Sequence, residues 1–286
     1  MATCKNCGKP LILNGGKCIY CSTPCGEKKG GMNKTVQPGL PPVRTFTVNG
    51  VSFNMILVEG GTMWIGEQKT DPRKPNYDPE ADGRNPLRKV SVDTFYIGET
   101  LVTLGLIKAL YRDTRPYRNE IGECETTPCW YGEGICSEVA AQTGEYFRLP
   151  TSEEWEFAAR GGVKSKGYRF SGRNVLNEVG WYVINHMDFL DLVGPVPFHL
   201  NGQLLEIPPQ IKKKKNNELG LYDMSGLLYE PCVVTDGRSE RVEYRGGHFK
   251  IEAKYSRVAY RLPASYVSGV AGLRLAMTPK HERSRQ

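Results

Sequence analysis

Three short glycine-bearing words near the carboxyl end, Gly220-Leu-Tyr-Asp-Met-Ser-Gly226, Arg245-Gly-Gly247 and Gly272-Leu-Arg-Leu-Ala276, constrain the fold of this chain more than any other feature. Gly246 and Gly247 permit backbone conformations closed to other residues, and Asp223 is of a type that ties its own turn through its side chain. With 32 glycines and 19 prolines in 286 residues, the chain reads as a loop-rich globular protein and not as a helical bundle or a disordered chain.

Upstream, the pattern converts into elements. Phe46-Thr-Val-Asn-Gly-Val-Ser-Phe53 alternates about an Asn49-Gly50 turn and predicts a β-hairpin, and Met55-Ile-Leu-Val58 predicts a buried strand ending at Gly60-Gly61. Apolar residues at helical spacing predict a helix over 101–114. Thr151 or Ser152, followed by Glu154, predicts the N-cap and capping box of a second helix that runs to Arg160. The remainder reads as short strands separated by long irregular stretches, so the class is α+β with a high loop content. No run reaches the ~20 apolar residues of a membrane-crossing helix. The first residues, Met-Ala-Thr-Cys-Lys-Asn-Cys, lack an apolar core of the secretory type. That predicts synthesis and folding in a reducing cytoplasm, and leaves export by another route, for instance in a virus particle, open.

The formal net charge is +7. Basic residues concentrate in Lys212-Lys-Lys-Lys215 and Lys280-His-Glu-Arg-Ser-Arg285, without the interleaved aromatic residues of a stacking platform. Both runs read as solvated segments, so nucleic acid is not the expected partner.

Cys4-Lys-Asn-Cys7 and Cys18-Ile-Tyr-Cys21 are two Cys-x-x-Cys pairs separated by ten residues. Two knuckles presenting four thiolates suit tetrahedral zinc at about 2.3 Å. A disulfide framework lacks other signs of secretion, and a redox Cys-x-x-Cys needs one pair alone. A closed four-thiolate site leaves no position for substrate, and so short a segment buries too little apolar area to fold without metal, so the zinc is expected to be structural. Residues 1–25 are therefore expected to form a zinc ribbon on Cys4, Cys7, Cys18 and Cys21. Residues 26–43 read as a flexible linker, 44–280 as the large domain and 281–286 as a tail. Cys25, Cys124, Cys129 and Cys136 read as free loop thiols.

Val58-Glu-Gly-Gly-Thr-Met-Trp-Ile-Gly66, Val90-Ser-Val-Asp-Thr-Phe-Tyr-Ile97, Val102-Thr103 and Arg148-Leu-Pro-Thr-Ser-Glu-Glu-Trp-Glu-Phe-Ala-Ala-Arg-Gly-Gly162 precede the three carboxyl-terminal words. In that order, over residues 50 to 278, they resemble the sulfatase-modifying or formylglycine-generating-enzyme family. The resemblance implies a C-type-lectin-like fold of the formylglycine-generating subtype. It also implies calcium as an ion the family often carries, with Asp236 and Asn185 near the frame. Arg148, Glu153, Glu154 and Arg160 read as charge-assisted ties of a loop-rich body and Trp155 as core, that is, as scaffold.

The copper-dependent oxidases of that family carry two cysteines shortly after Arg-Gly-Gly, because thiolates capture monovalent copper. The matching positions here hold Ile251 and Ser256. Cys232 is the only cysteine after residue 136 and reads as a small buried hydrophobe on a strand. His186, His199, His248 and His281 are too scattered for the branch of the family that holds iron through histidines of an attached helical domain. Neither a phosphate-cradling loop, a Gly-x-Ser-x-Gly elbow nor a coherent carboxylate pair is present. The chain reads as a non-enzyme.

A third branch, the variable proteins of diversity-generating retroelements, is also similar to this chain: error-prone reverse transcription at adenines changes a set of their C-terminal surface residues. Departures from the enzyme-like frame cluster in Leu227–Cys232, His248–Ser256 and Leu262–Ala271, between the unchanged words Arg257-Val-Ala-Tyr-Arg261 and Leu273-Arg-Leu-Ala276. The resemblance implies a non-catalytic binding protein diversified over about 227–271, with a protein or glycan ligand. Expected contacts are Leu227, Tyr229, Pro231, Val233, His248, Phe249, Ile251, Tyr255, Ser256, Leu262, Ser265, Tyr266, Val267 and Ser268, which supply aromatic area, apolar anchors and adaptable hydroxyls. An undiversified pseudoenzyme, an enzyme of the formylglycine-generating family and a zinc-ribbon adaptor stay open as alternatives.

Overall fold

In the computed structural model the described residues are 39–112, 134–187, 209–265 except 236 and 238, and 271–279, with the backbone alone of 13–14, 17–18, 118–119, 122–123, 197–200, 203–206 and 266. Two compact units, Met1–Gln37 and Pro38–Gln286, divide the chain. In the first, β1 (Leu13–Asn14) pairs antiparallel with β2 (Lys17–Cys18), with Leu13 opposite Cys18. Cys4, Cys7, Cys21 and Cys25 lie outside the described residues, as do Cys124 and Cys129.

The second unit begins with the hairpin of β3 (Val43–Val48) and β4 (Val51–Val58), with Phe46 opposite Phe53. Asn49 and Gly50, at φ 44° and 87°, supply the two successive positive φ angles that a two-residue hairpin loop needs. A second hairpin, β5 (Gly61–Ile65) with β6 (Arg88–Val92), leads into β7 (Phe95–Gly98). Thr103 caps α1 (Leu104–Tyr111) through Leu106 N–H, and Arg112 ends it in the left-handed region at φ 52°. This helix is shorter than 101–114: Leu101 and Val102 are buried ahead of it, outside the helix.

A small ribbon of β8 (Arg118–Asn119) and β9 (Gly122–Glu123) precedes α2 (Ile135–Thr143). In α3 (Ser152–Ala159), Thr151 accepts from Glu154 N–H and Glu154 returns the bond to Thr151 N–H, the predicted capping box. Then follow α4 (Leu176–Val179), a ribbon of β10 (Pro197–Leu200) and β11 (Gln203–Glu206), and the strands β12 (Glu230–Thr235), β13 (Glu240–Arg245), β14 (Arg261–Pro263) and β15 (Ala276–Met277).

Two sheets organise the body. One has the order β15-β7-β4-β3, so the last motif word pairs with β7, next to the opening hairpin; the other has the order β12-β13-β14. The first core joins Met55, Tyr96, Leu106, Leu110, Val139, Phe147 and Leu275, and the second joins Val58, Phe95, Trp155, Phe157, Met224, Cys232 and Val258. This mixture of short helices and small antiparallel sheets is the expected α+β class. Among the described residues, no helix is long and apolar enough to cross a membrane.

Candidate functional site

The segment between Arg245 and Arg257 is held at both ends by buried ion pairs. Arg245, with no exposed surface, donates to Glu156 Oε2 at 2.5 Å and to the Val258 carbonyl at 3.0 Å. Glu156 also receives Arg160 Nε at 2.8 Å, Gly66 N–H at 2.7 Å and Asn85 Nδ2 at 2.8 Å. Burial pushes the Glu156 carboxyl up, but Arg160 and Arg245 outweigh it and hold the group at about 2. At the other end, Arg257 grips Glu67 with Nε to Oε2 at 3.2 Å and NH2 to Oε1 at 2.9 Å. The Arg-Gly-Gly word fits against this segment: Gly246 and Gly247 adopt φ 86° and 77°, and a Cβ on Gly247 would lie 2.4 Å from Ser256 Oγ.

Ile251 and Ser256, where the resemblance sets the copper-binding cysteines, are thus part of a pinned loop. Ser256 is fully buried, and its hydroxyl has no hydrogen-bond partner among the described residues. Ile251 is half-buried, and its carbonyl accepts from Val183 N–H at 3.1 Å. Cys232 is sealed inside β12, where burial pushes its thiol well up. Cys136, half-buried on α2, is pushed up by burial to about 11.

Six of the fourteen expected contacts are buried, which corrects their assignment to a binding surface. Leu227 and Phe249 have no exposed surface and pack with Leu101 and Leu228 in a third core, where Phe249 meets His186 edge-on at 4.5 Å. Tyr229 and His248 lie 5.0 Å apart between ring centres; Pro231 is buried on β12, and Ser256 lies beneath Gly247. Burial, with Lys250 adding repulsion, holds His248 down at about 4, so its ring is neutral at physiological pH. The cause of the burial is backbone cross-linking: Gly226 N–H donates to Gly246 O at 2.6 Å, Phe249 N–H to Leu227 O at 3.1 Å and Gly272 N–H to Tyr229 O at 2.8 Å. Those bonds fold the departing runs onto each other, so their side chains turn inward.

The rest are accessible or lie outside the described residues. Val233, Ile251, Tyr255 and Leu262 are half-buried and Ser265 is exposed; Val267 and Ser268 are not described, nor is the side chain of Tyr266. Register places Val233 opposite Val242 and Tyr244 opposite Leu262, so these four share the face of the β12-β13-β14 sheet turned away from Glu243 and Arg245. Ile251 and Tyr255 stand instead on the pinned loop, Tyr255 against Tyr260 at 5.2 Å. Val242 and Tyr244 were not among the nominated residues, although the two-residue alternation of Glu240-Arg-Val-Glu-Tyr-Arg245 carries the signal.

One further expectation changes. Asp223 does not tie its own turn: at φ 60° its Oδ2 accepts from Lys212 N–H at 2.9 Å, while Oδ1 is buried without a hydrogen-bond partner among the described residues. The run Lys212–Lys215 is exposed at Lys212, Lys213 and Lys215, as expected of a solvated run, and it is tethered to the body: Lys212 Nζ bonds Glu99 at 2.7 Å, Lys214 Nζ bonds the Asn177 carbonyl at 2.9 Å and lies over Trp181, and Lys215 Nζ bonds Glu178 at 2.7 Å. Asn185, named for calcium, is spent: its carbonyl accepts from Tyr182 N–H and its amide donates to Asn177 Oδ1 and Gly180 O, each at 2.9 Å. Asp236 lies outside the described residues, and among those described no three His, Cys, Asp or Glu converge on a metal position.

The four-stranded sheet, the Arg-Gly-Gly turn and the pinned loop define a C-type-lectin-like scaffold of the formylglycine-generating type. Residues 107–279 match the Sulfatase-modifying factor enzyme 1-like domain, and the chain belongs to that family. It is 25% identical over 239 residues to inactive C-alpha-formylglycine-generating enzyme 2 of Bos taurus, covering 64% of this chain and 71% of that protein. It is 40% identical over 123 residues to chaperone protein LppX of Paenibacillus barcinonensis, covering 40% of this chain and spanning 42% of that relative's length. Among solved structures, Treponema denticola variable protein 1 superposes with a TM-score of 0.59 at 22% identity, covering 84% of this chain and all of that one. PvdO from Pseudomonas aeruginosa gives 0.54 at 19%, covering 83% and 99%. At these identities the structural likeness is one of fold.

Proposed function

We propose that this protein binds a ligand without catalysing a reaction, and that it is a retroelement-diversified variable protein whose changeable residues are carried on a fixed body. The observation that supports this reading most directly is the bracketing of residues 248–256 by Arg245 and Arg257. Two buried ion pairs hold the loop in place whatever its exposed side chains are. A loop ordered in advance loses little entropy on binding, so a modest patch can discriminate among ligands. The accessible residues Val233, Ile251, Tyr255, Leu262 and Ser265 would make the contacts, to a protein or glycan. Ile251 and Ser256 cannot supply the thiolate pair of the copper oxidases, and the inactive relative in Bos taurus is consistent with loss of that chemistry. Zinc on Cys4, Cys7, Cys18 and Cys21 would be structural.

The decisive observation is genomic. A nearby reverse transcriptase gene, with a near-copy of the 3′ end of this gene differing at adenines, is expected; absence of both removes the diversification reading. Incubation of the purified protein with copper and a cysteine-containing sulfatase peptide is expected to yield no aldehyde, and turnover would restore the enzymatic reading.

A further inference from the structure

Glu243 on β13 is 2% exposed and is approached by three guanidinium groups. Arg241 NH1 lies 3.6 Å and Arg261 NH1 3.8 Å from its Oε2, and Arg245 NH1 lies 4.0 Å from its Oε1. None of these is a hydrogen bond. Oε1 accepts instead from the Ser152 hydroxyl. Arg245 is committed to Glu156 and to backbone carbonyls. Arg241 and Arg261 are not: the Arg241 guanidinium makes no hydrogen bond among the described residues, and Arg261 uses Nε alone, on the Arg84 carbonyl at 2.7 Å.

This is unlike the other arginines that hold the body together. Arg148, Arg257 and Arg274 each meet a carboxylate with two nitrogens. Around Glu243 the two remaining cations, Arg241 and Arg261, share one carboxylate, since Arg245 is paired with Glu156 and Arg88 with Glu153. Burial, opposed by Glu243 and assisted by Arg245, Arg88 and Arg241, holds the Arg261 guanidinium below its ordinary value, as expected where positive charge is packed together. The site is open: the Arg241 side chain is 53% exposed and that of Arg261 24%.

We propose that Arg241 and Arg261 form a binding site for a tetrahedral oxyanion, a phosphate or sulfate group. Their NH1 atoms flank the same Glu243 oxygen, so they can be no farther apart than the sum of the two distances to it. An oxyanion accepting at about 2.9 Å from each fork spans such a gap. The alternation of β13 turns Arg241, Glu243 and Arg245 toward α3, whereas Val242 and Tyr244 face the other way. The site is therefore separate from the face carrying Val233 and Leu262.

Calorimetric titration of the full chain with inorganic phosphate, inorganic sulfate and acetate at matched ionic strength tests the proposal. Phosphate and sulfate are expected to bind and acetate much less. Arg241→Gln should weaken both tetrahedral anions about tenfold, the change that loss of a charge-assisted contact produces, and Arg241→Gln with Arg261→Gln should abolish binding. Arg241→Gln removes no hydrogen bond from the body, so its melting temperature should match the parent and separate a lost site from a lost fold. Unchanged affinity in Arg241→Gln, or no binding of either anion to the parent, overturns the site; acetate binding as tightly as phosphate overturns the ligand class.

Discussion

Arg274 and Glu230 form a two-point ion pair with neither side chain exposed: Nε to Oε2 and NH2 to Oε1, each at 2.8 Å. Glu230 Oε2 also accepts from Trp155 Nε1 at 2.6 Å, and Arg274 donates to the carbonyls of Gly98 and Tyr222 at 2.9 Å each. One pair thus ties β7, α3, the Gly220 word and the Gly272 word together. Removing one partner leaves a buried charge uncompensated, so Glu230→Gln or Arg274→Met is expected to cost about 3–5 kcal/mol in urea unfolding. The double variant, with no stranded charge, should recover part of that loss. A single-variant cost below about 1 kcal/mol, the level of an exposed pair, contradicts this account.

Asp223 predicts a pH dependence. Burial, opposed by the Lys212 N–H bond and by Arg274, pushes its carboxyl from the ordinary 3.8 up to about 6. A raised folded-state value means that the folded chain holds the proton more tightly. The stabilising contribution is therefore complete below about pH 4 and is lost as pH rises through 6. Asp223→Asn keeps an acceptor for Lys212 N–H and tolerates φ 60°. In chelator-treated buffer it should be more stable than the parent above pH 6, by up to about 3 kcal/mol, with the advantage fading toward pH 4. Thermal melts across that range decide; no gain at pH 7.5 refutes the assignment.

The sequence revealed more of the frame than of the surface, and the reason is physical. The Asn49-Gly50 hairpin, the Thr151–Glu154 capping box and the burial of Trp155 and Cys232 depend on neighbours a few residues away or on plain hydrophobicity, and all four are present. Departure from a family pattern, by contrast, does not distinguish a replaced contact from a replaced core residue. Leu227 and Phe249 depart from the enzyme-like frame, yet they fill a core because Phe249 N–H bonds Leu227 O, a pairing across 22 positions that no local period announces. The aspartate at 223 reads locally as a turn residue but bonds a backbone amide eleven positions upstream. The Arg241–Glu243–Arg261 arrangement arises only when β13 and β14 pair.

Burial divides the nominated contacts into residues that tolerate exchange and residues that do not. Phe249→Ala should cost about 3–5 kcal/mol and Leu227→Ala about 2–5 kcal/mol, through lost transfer energy and the cavity left behind. Ser265→Ala, on an exposed side chain, should stay within about 0.5 kcal/mol. A library randomised at Val233, Tyr255, Leu262 and Ser265 is then expected to yield mostly soluble, cooperatively melting protein, whereas one randomised at Leu227, Phe249 and Ser256 is expected to yield little. Equal yields from the two libraries would refute the division.

Zinc gives a prediction that separates the two units. Four thiolates at Cys4, Cys7, Cys18 and Cys21 should hold about one equivalent of zinc, measured by elemental analysis of the full chain, and Cys4→Ser with Cys7→Ser should release it. The cores of the large unit draw only on residues from Phe46 onward among those described. Chelation should therefore leave the main melting transition of the body in place while loosening the first unit, seen as faster amide exchange in residues 1–37 alone. A chelator that lowers the main transition as far as Glu230→Gln does would mean that the metal, directly or through the first unit, supports the large fold.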